Sequence, residues 1–295
     1  MPVDPALVGH ETPRQTYAIQ AEDIARFSDA IGDTNPVFRD PARARDAGFP
    51  TVIATPTFVT RFRMPLHEID LDPHRSQILH AEQEYEYARP LHAGDQVVTW
   101  YRLAAVRQSS RGDGMAIMTI ENPGETLAGE HLYTGTSMII VRDGAPGAAV
   151  GERQRATRPT ATPEGQPIGP LIKHVTQPQI DAYAEASGDH NPIHINPDAA
   201  RAVGLDGTIA HGMLSMGFLG QLITDWLAEL STREGWLARL RVRFHAMVRP
   251  EDTLTCRGVL VAGSEGGRQS MQVWAENQHG DRVTSGEAEV MLGER

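Results

Sequence analysis

The hydrophobic pattern of the chain changes near residue 235 from a helical to a strand-like period. Before this point, apolar residues at helical spacing predict a long helix after Gly212 that is buried on most sides. These residues are Met213, Met216, Leu219, Leu222, Ile223, Trp226, Leu227 and Leu230. After it, residues 239–246 alternate between polar and apolar side chains, which predicts a strand with one face in the core. Further strands are predicted at 253–262, 269–278 and 283–292, and the glycine-rich loop 263–267 predicts a hairpin.

Two shorter helices are predicted upstream from their end signals. Thr176 followed by Gln179 forms a capping box, which predicts a helix start, and Gly188 predicts the end of that helix. Asn196 before Pro197 is predicted to cap the start of a second short helix.

The first half follows the same plan, with a weaker central helix. Strands are predicted at 79–87, 96–106, 115–120 and 132–141. A helix that starts near Thr57 is interrupted early by Pro65 and Pro73. One helix followed by a run of antiparallel strands predicts an α+β unit in which the sheet wraps around the helix.

The two halves are copies of one unit at an offset of 189 − 33 = 156 residues. IGDTNPVF at 31–38 matches SGDHNPIH at 187–194, and the register holds for residues 24–53 against 180–209. The period is far longer than that of any solenoid repeat, so it indicates two structural units.

The boundary between the units is predicted from composition. A stretch rich in Pro, Gly, Ala and Arg separates them, without apolar periodicity. We therefore predict a first domain at 1–145, a linker at 146–169 and a second domain at 170–295. The length of 295 residues and the repeat favour two hydrophobic cores of ordinary size.

Composition excludes several classes of function. The net charge of −11 argues against binding to nucleic acid or to an anionic membrane, because both require clustered Lys and Arg. The single Cys256 cannot form an intrachain disulfide, which favours a reducing compartment. The N-terminus lacks the pattern of a signal peptide, and no segment is apolar enough to span a membrane. We therefore expect a cytoplasmic protein.

Chemistry-bearing residues cluster in the second unit. Asp189 and His194 flank a turn at Asn191-Pro192, so both side chains could converge on one point. A carboxylate and an imidazole together can hold and deprotonate a water molecule. Gly212 lies at the predicted helix start, where a free N–H and the helix dipole would stabilise a developing oxyanion.

The first unit lacks two of these groups. Phe38 replaces the imidazole of His194, and Pro56, which has no N–H, replaces Gly212. Two independent losses in the same copy indicate an active site in the second unit and a scaffold in the first.

These residues also admit structural interpretations. An Asp in a Gly-Asp turn is more often structural, and His211 fits a hydrogen-bonded buried group. A metal site of Asp189 with His190, His194 and His211 lacks any predicted geometry, so no metal is expected. Ser215 misses the spacing of a serine nucleophile by one residue.

The segment from Tyr183 to His194, followed by Ala200 and by Ala210-His211-Gly212-Met213, resembles the hydratase-2 motif of MaoC-like (R)-specific enoyl-CoA hydratases. The motif is long and specific, and its one departure is Ala186, where the family usually has a larger aliphatic residue. Residues 27–58 resemble the non-catalytic N-terminal MaoC dehydratase domain. The resemblance implies a double hot-dog: two tandem antiparallel sheets, each wrapped around a central helix.

The same resemblance implies a reaction and a set of roles. Asp189 and His194 become the catalytic pair, the Gly212 N–H becomes the oxyanion donor, and Asn191, His211 and Met213 are predicted on the substrate side. The implied reaction is reversible hydration of a trans-2-enoyl thioester to an (R)-3-hydroxyacyl thioester, without cofactor or metal. The implied partner is acyl-CoA or an acyl-carrier protein, and a homodimer of double hot-dogs is possible.

The residues leave two alternative functions open, a thioesterase and a binding subunit, and they leave open the role of three arginines. A hot-dog thioesterase would need an acidic residue on the central helix, which offers only Asp225 and Glu229. A non-catalytic acyl-thioester-binding subunit would not need the complete catalytic set. Arg241, Arg243 and Arg249 could meet CoA phosphates or could simply keep a strand face in water. The interrupted helix of the first unit predicts room for a long or bulky acyl group.

Overall fold

The first unit places its helices ahead of most of its strands. The computed structural model describes residues 3–63, 76–108, 114–143, 164–230 and 235–293. The helices of this unit are α1 (Ala21–Ile31) and α2 (Pro41–Asp46). Its strands are β1 (Gln15–Ala18), β2 (Ser76–Tyr87), β3 (Gln96–Thr99), β4 (Arg102–Gln108), β5 (Met115–Glu125) and β6 (His131–Asp143).

The second unit repeats this order with a complete central helix. Its helices are α3 (Gln177–Ser187), α4 (Pro192–Ile195), α5 (Pro197–Ala202) and α6 (Gly212–Glu229). Its strands are β7 (Gln166–His174), β8 (Trp236–Phe244), β9 (Thr253–Glu265), β10 (Arg268–Glu276) and β11 (Arg282–Met291). The predicted hairpin is the β9–β10 connection, where Gly266 and Gly267 both have positive φ, as a tight two-residue turn requires.

The predicted helix ends are confirmed, with one change of partner. Thr176 caps α3 by accepting from the Gln179 N–H at 3.3 Å, and Gly188 ends that helix in the left-handed region at φ 73°. The Gln179 side chain does not complete the capping box, because it donates to the carbonyl of Ile31 in the first unit. Asn196 caps α5 as predicted.

One continuous antiparallel sheet runs through both units. Its order is β1-β3-β5-β6-β2-β8-β11-β10-β9-β7, with β4 paired to β5. The order of one unit is the mirror of the other about the β2–β8 junction. The repeat therefore places the two units side by side about a local two-fold axis, with α6 packed against the strands of the second unit.

Ion pairs reinforce the junction between the units. Glu82 on β2, whose side chain is 8% exposed, accepts from Arg241 at 2.7 Å and also from Arg243 on β8. Arg239 donates to Glu84 at 2.8 Å. These arginines therefore stabilise the paired strands, which favours the structural interpretation of Arg241 and Arg243 over contact with CoA phosphates.

The prediction of one ordinary core for each unit is wrong. The main cluster of buried apolar residues joins both units and includes Phe27, Phe58, Tyr183, Phe218 and Leu240. The rings of Phe27 and Tyr183 lie 5.5 Å apart across the boundary. The two halves of the continuous sheet and their helices bury this cluster together, so the units cannot be separated without exposing it.

The strand boundaries differ from prediction at two places. Strand β7 begins at Gln166, inside the predicted linker of 146–169, so the second unit starts before residue 170. Pro167 and Pro170 are typical of a loop, which is why the sequence predicts a linker for this segment. Strand β7 lies at the edge of the sheet, where β9 is its one partner among the described strands. A proline there costs little, because its missing N–H is not needed on the open edge. The segment predicted as one strand at 96–106 is broken between β3 and β4.

The central helix of the first unit is reduced to a 3-10 turn at Phe58–Arg61 within the described residues. Pro65 and Pro73, which predict this interruption, lie outside them. None of the helices in the described ranges combines the length and apolar character needed to cross a membrane.

Candidate active site

The loop after α3 presents the two predicted catalytic side chains. Gly188 reverses the chain, and Asp189 follows it directly. Asn191 then caps α4: its side chain accepts from the Ile193 N–H, and its own N–H points to the Asp189 carboxylate at 3.4 Å. This single turn of helix carries His194 back toward Asp189. Asn191 thus braces the loop, and a direct substrate contact of its side chain stays a prediction.

The structure brings Asp189, His194 and His211 together. One donor or acceptor atom from each of the three side chains lies within 4.8 Å of the others. The Nδ1 of His194 is 2.8 Å from the Ile209 carbonyl oxygen, so this nitrogen carries the proton and donates it. The Nε2 of His194 is therefore left with its lone pair and can accept a proton.

His211 lies behind this pair. Its Nε2 donates to the backbone carbonyl of Asp189 at 2.9 Å, and its ring lies 3.8 Å from that of His194. Burial, together with the neighbouring His194, lowers the pKa of His211 to about 4, so the ring is neutral near pH 7. The interpretation of His211 as a hydrogen-bonded buried group is confirmed. Met213 is 7% exposed, and direct substrate contact of either side chain stays a prediction.

The electrostatics of the cluster favour an ionised Asp189 beside a neutral His194. Burial alone would raise the pKa of the Asp189 carboxyl, but the Arg63 guanidinium, the two imidazoles and the Asn191 N–H together lower it. Arg63 donates to the carboxylate at 3.1 Å. Burial lowers the pKa of His194, so its imidazole is neutral near pH 7. Both residues therefore present acceptors to a water molecule.

Gly212 provides the neighbouring amide. It is the first residue of α6, so its N–H has no acceptor within the helix and lies at the positive end of the helix dipole. Gly212 is exposed, whereas His211 before it and Met213 after it are buried. A Cβ at this position would approach the Phe244 ring to 3.2 Å, so glycine avoids a crowded contact with this ring.

The first unit also contributes to the site, which the sequence patterns do not reveal. Besides Arg63, Arg61 donates to the Ala186 carbonyl at 3.1 Å and pairs with Asp23 at 3.2 Å. His80 packs its ring 5.2 Å from that of Phe244. The contacts of Arg61 and Arg63 with the second unit join residues about 125 positions apart, and no local pattern encodes them.

In the first unit, the residues that correspond to the site have a structural role. Asp33 is 1% exposed, and its carboxylate accepts from the Asn35 N–H at 2.9 Å. Burial raises its pKa to about 6. Phe38, in place of His194, is fully buried in the core. The two positions that supply an imidazole and a free helix N–H in the second unit supply neither here, which agrees with a scaffold unit.

The three clustered side chains are also the described residues that could hold a metal ion, since each imidazole keeps one nitrogen lone pair. The His211 Nδ1 is buried without a hydrogen-bond partner among the described residues. The same donors fit a water molecule, and the expectation that no metal is required stays a prediction.

Comparisons with known proteins match a different domain family to each half of the chain. Residues 6–135 match the profile of a FAS1-like dehydratase domain region, and residues 159–282 match the MaoC-like domain. A UPF0336 protein of Thermobifida fusca is 36% identical over 142 residues, which cover 46% of this chain and 91% of the relative.

Solved structures show the same fold over the full length. A MaoC-like dehydratase superposes with a TM-score of 0.82 at 21% identity, covering 98% of this chain and 99% of the other. A Mycobacterium tuberculosis protein described as having a double hotdog fold gives a TM-score of 0.69 at 13% identity, with 97% and 96% coverage. The α+β double hot-dog prediction is confirmed.

Fold and profiles together define a protein of the hydratase and dehydratase class that acts on thioesters. The chain combines a FAS1-like dehydratase region with a MaoC-like domain, and it belongs with the UPF0336 proteins.

Proposed function

We propose that the protein catalyses reversible hydration of trans-2-enoyl thioesters to (R)-3-hydroxyacyl thioesters. The observation that carries this proposal is the convergence of Asp189, His194 and His211 within 4.8 Å, close in sequence to the exposed Gly212. The (R) configuration and the thioester carrier, CoA or a carrier protein, follow from the resemblance of the motif to the hydratase-2 family.

The acceptors define how a water molecule would be oriented. The ionised Asp189 and the neutral His194 Nε2 can each accept one hydrogen of the same water. The oxygen lone pairs of that water then point away from both residues and toward the substrate. Removal of one proton by either acceptor generates the nucleophile.

The reaction balances with these groups alone. The water oxygen forms a bond to C3 while the C2–C3 π electrons move into the thioester carbonyl, giving an enolate. The Gly212 N–H donates to the enolate oxygen. The enolate then collapses as C2 takes up the proton that the water lost. His211 holds the Asp189 backbone in place and does not transfer a proton in this scheme.

The structure favours this reaction over thioester hydrolysis. Asp225 and Glu229 lie 13 and 17 residues beyond Gly212 on α6, which places them roughly 20 Å or more from its N-terminus. Neither can serve as the acidic residue of a thioesterase acting beside Gly212. A binding subunit without catalysis would not need a free His194 Nε2.

The test uses a panel of enoyl-CoA esters of increasing chain length. Loss of conjugated-alkene absorbance without release of free thiol is the expected result, and chiral analysis is expected to show the (R) product. Thiol release would support a thioesterase. If no ester of any length or branching reacts, the hydratase proposal is wrong. Activity that falls steadily with chain length would contradict the predicted room for a long acyl group.

A further inference from the structure

A large cavity lies in the first unit at the place that corresponds to the active site of the second. Its volume is about 590 Å³, and it is lined by residues 35–38, the counterparts of 191–194, and by Pro56, the counterpart of Gly212. None of Asp189, His194, His211 or Gly212 lines it. The unit that lacks the catalytic groups has therefore kept a cavity of ligand size, within the range of about 300–1,000 Å³ for small-molecule sites.

The core of the protein separates this cavity from the catalytic cluster. Thr224 and Leu227 line the cavity near the end of α6, while Gly212 begins that helix. Twelve residues of helix separate Gly212 from Thr224, which corresponds to about 18 Å. Every residue from Met213 to Ile223 is buried. Gly212 and the cavity therefore lie near opposite ends of a helix that is buried between them.

The wall of the cavity is mainly apolar. Val37, Leu91, Leu227 and Leu237 contribute carbon surface. Phe38, the counterpart of His194, lies directly behind this wall in the core. A wall of this kind binds a ligand through burial of its hydrocarbon part.

Most polar groups of the wall have partners within the protein. Asn35 caps its own turn by accepting from the Val37 N–H, the Tyr87 hydroxyl donates to the Pro56 carbonyl, and the Thr224 hydroxyl donates to the Gln221 carbonyl. The buried Thr55 hydroxyl, which also lines the cavity, has no hydrogen-bond partner among the described residues, so it can donate to a polar group of a ligand.

The charged groups lie at the rim. Arg43 on α2 lines the cavity, and its side chain is 62% exposed. It lies 4.0 Å from Asp46, whose side chain is 74% exposed. A weak, exposed pair of this kind can release Arg43 to an anionic head group at little cost.

We propose that the cavity is a second, non-catalytic site that binds a long alkyl chain with an anionic head, as in a fatty acid or a fatty-acyl thioester. The chain lies against the apolar wall, and the head group lies near Arg43. The site is separate from the one that carries out hydration, so its occupancy does not require Asp189 or His194.

The test measures saturable binding of cis-parinaric acid, a fluorescent long-chain fatty acid, to the full chain. Thr224→Trp and Ala228→Trp fill the cavity from α6, and Ala228 is exposed, so the second variant is expected to fold even if the first does not. Ala182→Trp, at an exposed helical alanine on α3 outside the cavity, is the matched control.

We expect one bound probe per chain, at least tenfold weaker binding in the two filled variants, and unchanged binding in Ala182→Trp and Asp189→Asn. If unlabelled fatty acid displaces the probe and acyl-CoA does not, the ligand is the free acid. If both displace the probe, the site also binds the acyl thioester. Absence of saturable binding, unchanged affinity in Ala228→Trp, or loss of binding in Asp189→Asn would overturn the proposal. The Asp189→Asn result separates this proposal from the hydratase proposal, because that variant is expected to bind the probe while losing hydration.

Discussion

The contact between the units at Arg63 makes a prediction about pH dependence. Arg63 donates to Asp189 at 3.1 Å and is the foremost of the groups that lower the pKa of that carboxyl against the effect of burial. Hydration requires the ionised carboxylate and the neutral His194 imidazole, and Arg63 lowers the pKa of both groups, so activity falls as the pH drops through these pKa values. In Arg63→Gln the pKa of Asp189 rises, and the acid limb of kcat/KM moves to higher pH.

The size of the shift follows from the exposure of the pair. The Arg63 side chain is 45% exposed and that of Asp189 is 26% exposed, so solvent screens their attraction. Exposed ion pairs contribute up to about 1 kcal/mol. Because one pKa unit corresponds to about 1.4 kcal/mol, the acid limb should move upward by about half a unit. Near pH 7, where Asp189 is ionised in both proteins, this effect leaves the rate almost unchanged.

The assay is the pH profile of enoyl-CoA hydration for wild type, Arg63→Gln and Arg63→Lys. The Lys variant keeps the charge and should restore most of the profile. Arg26→Gln, which removes an exposed first-unit arginine that pairs with Asp23, is the matched control. An acid limb that stays in place in Arg63→Gln, or moves equally in Arg26→Gln, would refute the reasoning.

Three further predictions concern other contacts. Because burial raises the pKa of Asp33 to about 6 from 3.8, its contribution to stability is present below pH 4 and is lost as the pH rises through 6. Relative to Asp33→Asn, the free energy of unfolding of the wild type in urea should fall by about 3 kcal/mol between pH 4 and 7, and the two proteins should have equal activity at pH 7. If the free energies of unfolding of both proteins depend on pH in the same way, this prediction is wrong. Gly212→Ala places a Cβ 3.2 Å from the Phe244 ring and should reduce kcat/KM by roughly tenfold, with partial recovery on adding Phe244→Leu; no recovery would count against crowding as the cause. Glu82→Gln removes the negative charge that pairs with two arginines and should cost about 2 kcal/mol in urea unfolding, whereas Glu121→Gln, at an exposed pair, should cost less than half of that.

Local patterns in the sequence were sufficient for most of the secondary structure. The alternation after residue 235 and the caps at Thr176 and Asn196 depend on neighbouring residues alone, and the structure places strands and helix ends accordingly. Strand β7 was missed because its prolines are tolerated only at a sheet edge, and an edge is a property of the assembled sheet.

The candidate site was predicted only in part, because some of its residues are close in sequence and others are brought together by the assembled sheet. Asp189 and His194 belong to one loop, so their spacing around Asn191-Pro192 is enough to predict that they converge. Arg63 reaches the site only because β2 and β8 pair and bring the first unit against the second. The common core also depends on this pairing, and a repeat by itself cannot distinguish joined units from separate ones.

In the proposed reaction, Asp189 and His194 act together on one water molecule. The decisive measurement is a double-mutant cycle in crotonyl-CoA hydration with Asp189→Asn, His194→Ala and both together, with circular dichroism as the check of folding. If the two side chains act as a unit, each single change should lower kcat by about a thousandfold or more, and the double variant should lose little beyond either. Substantial activity in a folded single variant, or losses that multiply fully in the double variant, would contradict the account.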